Sequence, residues 1–464
     1  MLGPASVGED ISVKWIFLGA LLLFIPTLAA LLRSNPRYLV PCCVVLGLMP
    51  FIVVPGLYVA PVSWAQWPGP VKGIEVSLVD GISLAMILAT PRIRIPLALK
   101  LSFGVISVAV VISSIASYQL MPALFYAWQL FRTVLLFVAV TRVCATVRDA
   151  PLAIVTGLGL GLCYEAVLAF IQYTSGVAKP GGNLGHSNFL GLATHFVLYP
   201  SLAMLLAGRR TAFFSVVVAA SVLIALVGGS RATLGLVGIG MLLALAASLR
   251  HRSNSRKYAA AGLVLVLLIV ATPATIASLD YRTEDAKISS DLERKDMKDA
   301  ARMIIADHPM GIGANQYVLV ANIGGYSERA GVPWNTSSRD APVHNVYYLV
   351  SAELGLVGLV GLLAVLSTLI VTAFTSIRKH LSDPRSELIP GLFVTLIMVT
   401  IHISYEWVFM HFVIHYLFAI AAGLLIGLKY ALRLSAAARP PRQMRTAPVG
   451  EPAPALAFKT AAVP

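Results

Sequence analysis

Arg231, Arg294 and His344 are the residues whose types and settings could do chemistry. Arg231 lies in Gly228-Gly229-Ser230-Arg231-Ala232-Thr233, between two apolar stretches. A guanidinium is always charged, and its planar fork of donors suits phosphate oxygens. The small neighbours leave it accessible, although an arginine snorkelling from a helix end would look the same. Arg294 lies in a long polar segment, where Lys295, Lys298 and Arg302 also fit a plain solvated face. His344 stands where that segment gives way to the next apolar run. Near neutral pH an imidazole can take or give a proton. A capping or interfacial histidine is the other reading.

Further polar residues fall inside apolar runs, where ionisable groups are costly and become functional candidates by default. Arg132 and Glu165 are two of them. They could pair with each other, pair with other helices, or contact a lipid diphosphate. His195, His402, His411 and His415 could form a polar lining, but they show no ligand spacing such as HExxH. No metal site is expected. There is no Walker A sequence and no Rossmann fingerprint, so neither a nucleotide nor another cofactor is expected. Any transferred group must then arrive already activated.

The elements that must position these residues are membrane helices. Of 464 residues, 58% are hydrophobic and 12% charged, and mean hydropathy is +0.82. A soluble domain carries roughly 25% charged residues. Apolar runs of about 20 residues recur, each long enough to cross about 30 Å of hydrocarbon as a helix. About thirteen can be counted, among them 38–54, 74–90, 258–278, 343–375, 387–406 and 409–430. Helices satisfy their own backbone groups, which makes an all-α polytopic bundle of twelve or thirteen transmembrane helices the expectation. Alternating ten-residue strands are absent, which argues against an outer-membrane barrel. The net charge of +14 does not indicate nucleic acid. The basic residues cluster at every second connection, as cytoplasmic loops do. Trp64 and Trp67, on an opposite connection, suit an interfacial aromatic belt. Cys42, Cys43, Cys144 and Cys163 lie in or beside apolar runs and suggest no disulfide framework.

One connection is exceptional. Residues 279–342 hold eight Lys/Arg and ten Asp/Glu, on the side away from the basic loops. Within it Asp291 to Ala306 reads as an amphipathic helix with Leu292, Met303 and Ile304 among its apolar positions. Pro309 should end that helix, and Gly311 and Gly313 then permit tight turns. The expected division is a helix bundle over 1–278, this loop over 279–342, further spans over 343–432, and a disordered basic Ala/Pro-rich tail over 433–464. The first apolar run lacks a convincing cleavage site and reads as a retained helix.

Taken in order, several short motifs resemble the O-antigen ligase and polymerase superfamily. They are Asn183-Leu184-Gly185-His186-Ser187-Asn188-Phe189-Leu190, Gly229-Ser230-Arg231-Ala232, Arg294, His308-Pro309-Met310-Gly311-Ile312-Gly313, His344-Asn345-Val346-Tyr347 and Glu353-Leu354-Gly355-Leu356-Val357-Gly358. Each is weak alone; their order around one large loop is the specific signal. The resemblance implies a multi-pass protein of a bacterial inner membrane, with about twelve spans and its large, partly helical loop in the periplasm. It implies glycan transfer from undecaprenyl diphosphate to an acceptor hydroxyl, with Arg231 and Arg294 holding the donor diphosphate and His344 as the catalytic histidine. His186 and Asn345, inside the motifs, and Arg132 at depth are further substrate-binding candidates.

Three acceptors suit the same donor chemistry. A lipid A-core sugar would make the protein an O-antigen ligase. A second lipid-linked repeat unit would make it a polymerase, and a Ser or Thr side chain a protein O-oligosaccharyltransferase. The His/Arg arrangement around a single late loop favours the ligase. A transporter would explain spans and buried charges, but not a semi-structured loop with a histidine at its re-entry point. No inverted repeat with paired broken helices is visible.

Overall fold

The computed structural model describes residues 11–53, 58–228, 230–262, 269 and 284–437. Nine helices among the described residues are long and apolar enough to cross a membrane. Three shorter apolar helices, Pro36–Phe51, Leu78–Ala89 and Thr211–Val227, accompany them. Most of the expected stretch 258–278 lies outside the described residues, as do Gly229, 279–283 and 438–464.

In chain order the first elements are α1 (Ile11–Ser34), α2 (Leu39–Leu48), β1 (Tyr58–Ser63), β2 (Gly73–Ser77) and α3 (Leu78–Ala89). Then come α4 (Leu97–Ile115), α5 (Leu120–Thr146), α6 (Ala150–Thr174), α7 (Ser187–Leu206), α8 (Thr211–Val227) and α9 (Arg231–His251). The long connection contributes α10 (Glu284–Asp307) and three short helices, α11 (Tyr317–Ile323), α12 (Tyr326–Arg329) and α13 (Thr336–Arg339). The last elements are α14 (Val346–Phe374), α15 (Leu388–His402) and α16 (Phe412–Ala437). The bundle is built mainly from the pairs α5/α16, α4/α14, α2/α6 and α7/α15.

Several expectations are corrected. Among the described residues the regular structure is helical except for one antiparallel hairpin, β1–β2, with Tyr58 opposite Ser77 and Ser63 opposite Gly73. The apolar stretch 74–90 is therefore a strand running into a helix, not one helix. Ser77 makes the junction: its hydroxyl accepts from the Asp80 N–H, and the Asp80 carboxylate accepts from the Ser77 N–H at 2.8 Å. This capping box satisfies two backbone groups and starts α3. Trp67 is not an interfacial belt residue. It is buried, and its indole N–H donates to the Asn315 carbonyl at 3.2 Å. Helix α16 runs to Ala437, so the first five residues assigned to the tail are helical.

The long connection does not float. Helix α10 starts earlier than expected and ends at Asp307, two residues before Pro309. Met297, Ala300, Ala301 and Ile304 bury its inner face, whereas Leu292 is exposed, against expectation. The segment after it is bonded into a gap in α14. At Gly355 the backbone leaves the helical region, with φ 69° and ψ −175°, which strands carbonyls in the preceding turn. The loop supplies the missing donors. Ile312 N–H donates to Ala352 O and Gly313 N–H to Glu353 O, both at 3.0 Å. In return Leu356 N–H donates to Pro309 O at 3.1 Å. The Glu353 side chain accepts from the Tyr317 N–H at 3.0 Å. The HPMGIG and ELGLVG motifs are thus two halves of one joint.

Asn315 ties the same loop to the hairpin. Its side-chain amide donates to Val71 O at 2.7 Å, and its side-chain oxygen accepts from Val71 N–H at 3.2 Å. Its backbone is left-handed, with φ 62°, which asparagine tolerates better than most residues.

Gly355→Ala tests the joint. A Cβ there would sit 2.5 Å from the Met310 carbonyl carbon and 2.7 Å from Pro309 O, on a backbone that side chains rarely adopt. The substitution should cost about 2–3 kcal/mol through strain and local overpacking. Thermal unfolding in detergent should show a lowered midpoint, and limited proteolysis should show faster cleavage within 305–320.

Candidate active site

The joint and the Asn315 anchor fix the middle of the segment that carries Arg294 and His344. A cavity of about 1020 Å³ lies beneath it. Arg231, Arg294, His344 and His186 all line this cavity, although they are far apart in sequence.

Arg231 is the first residue of α9. Ser230 caps the helix by accepting the Thr233 N–H at 3.3 Å, which sets the start of the helix and projects Arg231 at its mouth. The partial positive charge of a helix N-terminus adds to the guanidinium there. The Arg231 side chain is 45% exposed and lies 3.6 Å from Asp291 on α10, a loose pairing. Arg294, on α10, is held more firmly. Its Nη2 donates to Glu406 Oε1 at 2.9 Å and its Nη1 to the Tyr405 carbonyl at 3.3 Å.

His344 is placed by a seam between two chain segments. Val346 N–H donates to Ile403 O at 2.9 Å, and the Asn345 amide donates to Ser404 O at 2.8 Å. This pins residues 344–346 beside the short turn between α15 and α16. His344 Nδ1 then lies 3.1 Å from Glu406 Oε2. Asn345 also caps α14, accepting the Tyr348 N–H at 3.1 Å. Its polar atoms are spent on the seam and the cap, so its place in the site is that of a strut beside His344.

Glu406 is the residue that sequence reasoning missed. It is 3% exposed and accepts from Arg294, His344 and the Asn188 amide, the last at 2.7 Å. Burial opposes its ionisation, but hydrogen bonding to His344 and the charges of His344, Arg294 and His402 outweigh this and hold the carboxyl below its ordinary range. Glu406 is therefore an anion at the floor of the cavity.

His186 caps α7, its Nδ1 accepting from the Asn188 N–H at 3.1 Å. Burial lowers its proton affinity, against the opposing pull of Glu406, so it faces the cavity as a neutral ring. The cavity walls are of two kinds. Lys179, Arg231 and Arg294 with Asp291, Glu293 and Glu406 make a charged end, while Leu236, Ile239 and Ile401 make an apolar wall. Such a cavity suits an amphiphile with an anionic head.

Arg132 is elsewhere. It is buried against two carboxylates, Asp80 at 2.9 Å and Glu75 at 3.2 Å, and it donates to the Tyr416 hydroxyl. Its charge is matched within the protein. It does not pair with Glu165, whose Oε2 accepts the Asn183 N–H at 2.8 Å. Arg132 tethers α5 to the hairpin, to α3 and to α16. His195 and His402 pair with each other at 2.9 Å, and His415 Nδ1 accepts from the Gln129 side-chain amide at 3.0 Å.

Residues 195–363 match the family model Wzy_C, described as O-antigen ligase. Over this segment, little more than a third of the chain, it is similar to the O-antigen ligase family, which supports the O-antigen ligase and polymerase superfamily. The matched segment contains Arg231, Arg294, His344 and both halves of the joint in α14; it ends before Glu406 and begins after His186. Superfamily members are ligase- or polymerase-type glycosyltransferases, so a function of that type is supported for this chain. The chain has no match among curated proteins.

The two kinds of arginine can be told apart by stability. Arg132→Ala leaves the buried Asp80 and the part-buried Glu75 without their partner and should cost about 3–5 kcal/mol. Arg231→Ala removes an exposed side chain and should leave the unfolding midpoint within experimental scatter. A comparison of thermal unfolding in detergent would assign Arg231 to the protein's framework if both variants lost stability equally.

Proposed function

We propose that this protein is an O-antigen ligase, transferring a glycan from undecaprenyl diphosphate to a sugar hydroxyl of lipid A-core. The observation that carries the reading is the meeting of Arg231, Arg294 and His344 in one cavity that has both a charged end and an apolar wall. The charged end takes the diphosphate and the apolar wall takes the start of the prenyl chain. The cavity faces the periplasm of a bacterial inner membrane, as the basic loops on the opposite side support.

The acceptor oxygen attacks the anomeric carbon of the donor sugar. The bond from that carbon to the diphosphate oxygen breaks, and the electron pair stays on the diphosphate. Arg231 and Arg294 stabilise the charge that develops there, a role open to preorganised cations in a partly desolvated site. His344 takes the hydroxyl proton as general base. Attack opposite the leaving group inverts the anomeric centre. No metal or nucleotide enters these steps. A polymerase or a protein O-oligosaccharyltransferase would differ in the acceptor alone.

A transfer assay tests this reading. Purified protein in detergent is mixed with undecaprenyl-diphosphate glycan and lipid A-core, without ATP or divalent metal. Wild type should form glycosylated lipid A-core with inverted linkage. His344→Ala should lower kcat by about 10²–10⁴-fold, as loss of a general base does. Arg231→Ala should lower it by about 10²–10³-fold, as loss of one transition-state donor does. Lengthened lipid-linked glycan in place of glycosylated lipid A-core would assign a polymerase. Full activity of His344→Ala would remove it from the chemistry.

A further inference from the structure

Both arginines expected to bind the donor are already engaged by carboxylates. Arg231 rests loosely on the exposed Asp291, whereas Arg294 is bonded to the buried Glu406. The two oxygens of Glu406 serve different partners. Oε1 accepts from Arg294 and Asn188, and Oε2 faces His344 Nδ1. An anion bonded at Nδ1 fixes the ring so that Nδ1 carries the proton and Nε2 the lone pair. Arg294 remains 34% exposed at the cavity, within reach of an incoming anion.

We propose that Glu406 is a positioning residue with two duties: it orients His344 with Nε2 toward the acceptor, and it holds Arg294 until the donor diphosphate draws the guanidinium away. The inference rests on the glycosyl-transfer reading above and assigns a regulation to the same site. The exchange follows from charge. With Arg294 in place, a cation 2.9 Å from the carboxylate offsets the field that Glu406 exerts on His344. Once the diphosphate has taken Arg294, the carboxylate has only His344 and Asn188 as partners. Its charge then acts on the imidazole undiluted and makes the ring a stronger base. Proton removal is thereby tied to donor occupancy. The exchange breaks no covalent bond; one charge-assisted hydrogen bond is traded for another.

The charged and titratable groups that line the cavity with His344 are Glu406 and Tyr405 on the turn after α15, Arg294, Glu293 and Asp291 on α10, Arg231 at the start of α9, and His186 and Lys179 before α7, with His402 acting on Glu406 from the end of α15. Among the charged groups of the described residues, Arg294 alone bonds to the same carboxylate as His344 and also faces the open cavity.

The test reads the proton on His344 directly. Purified protein is treated with diethyl pyrocarbonate across a pH series, and modification of His344 is quantified by mass spectrometry. The reagent attacks the unprotonated ring, so the midpoint of the rise reports its basicity. Without lipid, Arg294→Ala should raise the midpoint by about one pH unit, the scale of removing one close charge. Glu406→Gln, which keeps the shape of the side chain, should lower it. Adding Arg294→Ala to Glu406→Gln should then move it little. Undecaprenyl diphosphate added to wild type should raise the midpoint, and by less in Glu406→Gln. In turnover, Glu406→Gln should lower kcat at least tenfold with little change in donor KM, while Arg294→Ala should raise that KM.

An unchanged midpoint in Arg294→Ala without lipid would overturn the inference, as would equal shifts from Arg294→Ala in the presence and absence of the Glu406 carboxylate. Failure of wild type to transfer glycan would overturn the functional reading instead. The lipid-free midpoints are read without turnover, so the two failures are distinguishable.

Discussion

The interruption of α14 at Gly355 is the constraint on which the site depends. A continuous helix of 29 residues would satisfy its own carbonyls and leave nothing for the long connection to bind. The break exposes Ala352 O and Glu353 O to the loop, and the loop returns Pro309 O to Leu356. Burial makes this exchange strong, because an unsatisfied backbone group away from water costs several kcal/mol. Once residues 309–317 are fixed, the end of α10 is fixed, and with it the reach of Arg294 toward Glu406. The other end of the connection is fixed by the seam between 344–346 and 403–404. The two fixed ends place the cation and the imidazole on one carboxylate.

Two polar clusters in the same molecule show how context divides similar residues. Arg132, Asp80, Glu75 and Tyr416 are packed into a closed set in which the guanidinium is matched on every side. Arg294, Glu406 and His344 are also mutually bonded, but two of the three remain open to a cavity. A buried arginine reads as functional from sequence because burial of charge is expensive. Whether it serves the framework or a ligand depends on whether its partners exhaust it.

The sequence made the main catalytic candidates legible. Arg231 and His344 stood out by residue type at the ends of apolar runs, Arg294 only through the family resemblance, and the structure brings all three to one cavity. The helical bundle and the amphipathic α10 were legible from hydropathy and periodicity. Glu406 was not. It sits in Ser404-Tyr405-Glu406-Trp407, a short turn between two apolar runs, where one carboxylate carries no motif and its partners are 62 to 218 residues away. The hairpin was hidden for a related reason. Strand β2 and helix α3 form one apolar run, and hydropathy does not mark the change from one period to the other. The ELGLVG motif was visible, but its physical meaning required Gly355 to be seen in a conformation that opens the helix.

The junction of β2 and α3 also bears on how the chain sits in the bilayer. Helix α3 has 12 residues and so covers about 18 Å, short of the hydrocarbon thickness of about 30 Å. It also carries Asp80, a residue that costs about 2.5–3.5 kcal/mol when placed mid-membrane alone. Neither deficit is repaired locally. Strand β2 completes the depth only when β1 pairs with it and Trp128 of α5 donates to Glu75 O, and Asp80 is neutralised only by Arg132, also on α5. The charge of Asp80 and the backbone of β2 are therefore satisfied by α5, not within their own segment. The hairpin, α3 and α5 are thus one interdependent unit, held together by contacts between segments about fifty residues apart in the chain.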